Sequence, residues 1–163
     1  MLYLGFLFTA IGSAIVVYGY TERLRAVKAE YAATLKLLVY LRGAVTSEMR
    51  TPSESILRFL SEGGEGLAWA SGLRTEEQIC ALLRSREISN AAALLSLEDR
   101  AALSDFFFEL GRTELSEERA RLDRIISVME KRSAQTETQV QGRIRSAWVL
   151  FGTAALGALI LII

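Results

Sequence analysis

Histidine is absent from this chain, cysteine occurs once at Cys80 and proline once at Pro52. Each shortage excludes something. Without imidazole there is no histidine acid–base catalysis, no Ser/His/Asp triad and no His-containing metal site. A single cysteine cannot form an intrachain disulfide, which suits a reducing compartment. The nineteen basic and nineteen acidic side chains cancel, so no global basic field recruits nucleic acid. No carboxylate pair, nucleophile–base pair or metal cluster stands out. The glycine-rich SEGGEG at 61–66 lacks the strand context and the following Lys-Ser/Thr of a phosphate loop and reads as a turn. Neither a catalytic residue nor a cofactor or metal is expected.

Charge is also missing from both ends. Residues 1–20, MLYLGFLFTAIGSAIVVYGY, and 146–163, SAWVLFGTAALGALILII, contain no Asp, Glu, Lys or Arg. A membrane span needs roughly 17–25 apolar residues, and both segments fit. The sequence therefore predicts an N-terminal transmembrane helix over 1–20 and a C-terminal one over 146–163, the alternative being two core helices of a soluble bundle. No base precedes the first apolar run and no A-x-A site precedes Thr21, so this run reads as a retained span and not as a cleaved signal. Arg23 and Arg25 follow the first span, and Arg143 and Arg145 precede the second. The positive-inside rule then places the middle domain in the cytoplasm and both termini outside. Tyr18, Tyr20 and Trp148 fall at the same interfaces, where amphipathic aromatics anchor. Gly5, Gly12 and Gly19 recur every seven positions, and Thr153 and Gly157 are four apart. These small faces suit close helix packing in lipid, either between the two spans or with a second copy.

The middle reads as helix throughout, and one modest core fits its length. Leu24, Val27, Tyr31, Leu35, Leu38, Leu41 and Val45 form a 3–4 stripe continuing from the first span. Thr51, Pro52 and Glu54 open a second helix as N-cap, first position and capping box. Thr75 and Gln78 form another box ahead of Ile79, Leu82 and Leu83. Ser89 is placed to cap a short Ala/Leu helix. Ser96 and Asp99 open the next helix, whose apolar residues include Leu103, Phe106, Phe107 and Leu110. Three consecutive phenylalanines, 106–108, cannot share one face. Gly111 suits the left-handed residue that closes a helix. The last helix carries Leu122, Ile125, Ile126 and Met129 as a core stripe. Residues 130–143 are polar on all sides and read as a solvent-bridging helical stalk, with a disordered linker as the alternative. The expected organisation is all-α: a bundle of about six antiparallel helices over 21–129, a stalk over 130–145 and the two spans.

In order, the chain shows a span ending in YGYTERLR (18–25), a leucine-striped helix, the capped TPSESIL (51–57), a Phe-rich helix ending in ELGRTE (109–114), a long polar helix and a second span. This order resembles stage III sporulation protein AB over nearly the whole chain. Thr51-Pro52 and Leu110-Gly111-Arg112 are its most specific parts. Two positions depart from the pattern: Leu24 stands where the family often has proline, and Thr113-Glu114 where it often has Ser-Asp. The resemblance implies a non-catalytic platform, related to the F-type platform domain of type II secretion and type IV pilus systems. Such a protein sits in the mother-cell membrane around the forespore, in a secretion-like channel. Its implied partners are the membrane, the stage III sporulation protein AA ATPase and the other channel components. The alternative is an inner-membrane platform of a vegetative type II secretion or pilus-like system. Those platforms usually carry two copies of the bundle, and no internal repeat is present here.

Overall fold

The protein is described here from a computed structural model. It describes residues 2–47, 50–63, 66–70, 72–85, 88 and 92–162, with side chains from residue 11 to 157 apart from 46–47 and 68. The described residues are all-helical. They form α1 (Leu2–Ser47), α2 (Pro52–Ser61), a 3₁₀ turn (Ala68–Ala70), α3 (Glu76–Ser85), α4 (Leu97–Glu109) and α5 (Leu115–Ile162). The short helix expected after Ser89 falls largely outside the described residues.

The helices begin where their caps demand. Thr51 Oγ1 accepts the Glu54 N–H at 3.3 Å, with Pro52 in the first position, where it forfeits no intrahelical hydrogen bond. Thr75 and Gln78 complete a reciprocal box: Thr75 Oγ1 accepts from the Gln78 N–H, and Gln78 Oε1 accepts from the Thr75 N–H. Ser96 Oγ accepts the Asp99 N–H at 3.2 Å and starts α4.

One compact unit comprises Ala29–Ala134. Its core collects Leu37, Leu38 and Leu41 from α1, Ile56 from α2, Ile79 from α3, Leu103 and Phe107 from α4, and Leu122 and Met129 from α5. Trp69 points inward and meets the Phe107 ring at 5.6 Å. The α1 stripe is buried at Tyr31, Leu38, Leu41 and Val45, whereas Leu24, Val27 and Leu35 are only half-buried. Leu37, outside that stripe, is fully buried. Neighbours cover α1 on more than one side, so its buried arc is wider than an amphipathic pattern shows.

The second compact unit comprises Met1–Lys28 and Gln135–Ile163. In it Lys28 Nζ pairs with Glu137 Oε1 at 2.5 Å, and Thr21 and Val140 are buried. The segment read as polar on all sides is helical, yet it hides Val140. Among the described residues no helix is long and apolar enough to cross a membrane. The outer parts of both expected spans, residues 1–10 and 158–163, lie outside the side chains described.

A buried carboxylate joins three helices of the bundle. Asp99 Oδ2 accepts from Tyr31 Oη and from Ser96 Oγ, each at 2.6 Å. Arg132 Nε lies 3.4 Å from Asp99 Oδ1, and its Nη2 pairs with Glu98 at 2.8 Å. Burial and the Asp99 bond both push the Tyr31 phenol above its ordinary pKa. Tyr31→Phe should therefore destabilise the protein by about 1–3 kcal/mol, the cost of stripping a donor from a buried charged acceptor. Thermal unfolding of the two proteins measures it, and an unchanged midpoint would show that the contact carries no stability.

Candidate functional site

The five family-like residues are far apart in sequence, and the fold gathers them. Gly111 follows the end of α4 with φ +80°, a conformation that disfavours any side chain. It also lies against the first turn of α2: a Cβ built on Gly111 would sit 3.3 Å from Pro52 Cγ. Glu118 is buried and holds this turn from α5. Its two carboxylate oxygens accept from the Gly111 N–H at 3.0 Å and the Thr113 hydroxyl at 2.7 Å. The Thr113 hydroxyl thus serves Glu118.

On one side of this junction lies an open groove of about 270 Å³ whose lining includes Pro52, Cys80, Leu83, Arg84, Phe108 and Arg112. Arg112 stacks on Phe108, its guanidinium carbon 4.2 Å from the ring centroid. The three phenylalanines separate accordingly. Phe107 fills the core, Phe108 borders this groove, and Phe106 lines a different one with Arg124 and Val128. Leu110 is buried behind the turn.

The residues assigned to a membrane interface lie on the exposed surface of their helices. Tyr18, Tyr20 and Trp148 are exposed, as are Arg23, Arg25, Arg143 and Arg145. Arg25 pairs with Glu22, and Trp148 meets the Phe151 ring edge-on at 6.0 Å. A Cβ at Gly12, Gly19 or Gly157 would meet no atom within 4 Å. Thr153 turns its hydroxyl back onto the Val149 and Leu150 carbonyls. The described helices therefore make no close approach at these small residues, and Gly5 lies outside the described side chains.

Two polar features had no clear sequence signal. Arg132 reaches Asp99 across 33 positions, a pairing that no local pattern announces. Glu30 interrupts no stripe and reads as a surface residue, yet it is buried with neither carboxylate oxygen bonded. The Thr34 hydroxyl, one turn on, is buried and unbonded too. Burial pushes the Glu30 carboxyl above its ordinary range, and the charge of Arg100 opposes this only in part. Among the described residues no three acidic or cysteine side chains cluster to hold a metal. Comparison with protein-family models, curated proteins and solved structures finds no match.

Two predictions follow from the turn and the buried acid. Gly111→Ala should cost about 1–2 kcal/mol for forcing a Cβ into the left-handed region. Gly43→Ala, in open space within α1, should instead stabilise by about 0.5–1 kcal/mol. Denaturant midpoints compare them, and equal effects would refute the role given to the Pro52 junction. For Glu30, a raised folded pKa means that the folded state favours the protonated acid. Its stabilising contribution is complete below the ordinary value of 4.5 and is lost as pH rises through the folded value. Glu30→Gln should thus melt higher than the parent at neutral pH, and the difference should close in acid. A difference that persisted unchanged in acid would assign the effect to packing and not to charge.

Proposed function

We propose that this protein is a non-catalytic, membrane-anchored helical scaffold whose cytoplasmic bundle docks the ATPase of a sporulation channel linking mother cell and forespore. The observation that carries the anchoring is where apolar surface is left uncovered. Of thirteen large hydrophobic side chains exposed among the described residues, nine lie in 11–20 or 148–156. Ile15, Val16 and Leu150 are 65%, 71% and 69% exposed. Such clustering marks a surface that something apolar covers. The uncharged residues 1–10 and 158–163 extend both clusters, and together each makes a run of membrane-spanning length. Flanking arginines at 23, 25, 143 and 145 support a bundle on the cytoplasmic side.

The resemblance to stage III sporulation protein AB supplies the biological setting. The gathering of Thr51-Pro52 with Leu110-Gly111-Arg112 supports it, because residues that match that pattern in two separate places meet at one junction. In this reading the bundle presents contacts and the ATP chemistry belongs to the partner.

Membrane fractions immunoblotted through growth and sporulation test the proposal. The expected result is a carbonate-resistant membrane protein that appears once engulfment begins. Steady presence in growing cells would favour a vegetative secretion platform. Recovery in the soluble fraction would overturn the anchoring.

A further inference from the structure

We infer that the groove beside the Pro52–Gly111 junction is a docking site for an acidic segment of a partner protein that carries an apolar side chain. Two arginines line it, Arg84 from α3 and Arg112 from the turn after α4. Neither makes an ion pair among the described residues. By contrast, Arg42, Arg121 and Arg132 have carboxylates, while Arg100 is held by two backbone carbonyls. Three described acids near the groove are committed elsewhere. Glu76 accepts from Ser53 at 2.6 Å, Glu109 pairs with Arg121 and Glu118 holds the Gly111 turn. Among the described residues both guanidiniums are thus left open to an anion from outside.

The geometry suits a carboxylate on a peptide. Arg112 lies over the Phe108 ring. A guanidinium stacked on its face keeps its N–H edge for a bidentate carboxylate. Pro52, Leu83 and Phe108 give the same groove an apolar lining. Its volume of about 270 Å³ lies near the lower bound of small-molecule sites and takes one or two side chains. A partner presenting acid and hydrophobe together satisfies both halves, and charge complementarity fixes its sign. The inference deepens the scaffold reading, on which it rests for the partner's place in the cell but not for its chemistry.

Cys80 makes the groove testable. It is the only cysteine, half-buried, and it lines the site. Its alkylation by a maleimide on the full chain in detergent reports whether the groove is filled. The probe is a short synthetic peptide alternating Glu with Leu, compared with Gln/Leu and Lys/Leu versions and with inorganic phosphate. The acidic peptide should slow alkylation several-fold, less so at high salt. Arg84→Gln combined with Arg112→Gln should weaken that protection by roughly ten-fold or more, since charge-assisted bonds are lost. Both side chains are exposed, and an unchanged helical circular dichroism signal verifies the fold. Arg112→Lys, which keeps the charge but loses the planar stack, should fall between. Equal protection by the Gln/Leu peptide or by phosphate, undiminished protection of the double variant, or no protection at all would each overturn the inference. A chain recovered in the soluble fraction would sink the membrane anchoring and leave this result standing.

Discussion

The bundle depends on one buried carboxylate. Asp99 is almost wholly removed from water, and an isolated charge there costs several kcal/mol. That cost is offset by Tyr31 from α1, Ser96 at the head of α4 and Arg132 from α5. Each donor belongs to a different element, so the three must align for the charge to be satisfied. Helix-on-helix hydrophobic packing tolerates small slides, whereas a hydrogen-bonded charge does not. Asp99 therefore sets the register of three helices whose apolar faces alone leave it loose. It also sits in the first turn of α4, where the helix dipole favours a negative group. Glu30 is the contrast. It adjoins Tyr31 in α1 and is equally buried, but it lies in mid-helix and finds no donor among the described residues. The bundle stabilises one acid and strains against the other.

The far end of the bundle is built on a second such constraint. Glu118 ties α5 to the α4 turn, and the missing Cβ of Gly111 lets Pro52 come close. The turn's shape then decides what lies outside it. Arg112 is carried onto Phe108, and Arg84 and Cys80 on α3 face the same groove. A rigid turn supported by buried contacts is a good place for a binding surface, because its side chains need little ordering when a partner arrives.

Much of this was legible in the residues. Thr51, Thr75 and Ser96 cap helices because a hydroxyl satisfying an orphan N–H is a local event, complete within four residues. The α5 stripe of Leu122, Ile125, Ile126 and Met129 is buried as its spacing implies. The candidate site was legible only as pieces: Thr51-Pro52 and Leu110-Gly111-Arg112 stood out as motifs, but nothing local says that they touch. Arg84 carried no signal, since a charged residue on a short helix fits any exposed face. The burial of Glu30 is equally silent in the sequence. Whether an acid in a helix is solvated depends on which neighbour covers it.

The sequence by itself determined the helical class, the starting points of α2, α3 and α4, the left-handed turn at Gly111 and the uncharged ends. All of these are set by contacts within a few positions or by composition. Only the tertiary structure decided that Asp99 rather than Glu30 is the paired acid, that Phe107 faces inward while Phe106 and Phe108 border separate grooves, and that two arginines with no ion pair among the described residues line one groove beside Pro52. These depend on distances between residues tens of positions apart. Such distances are fixed by the simultaneous packing of all the helices, and no single stretch of chain encodes them.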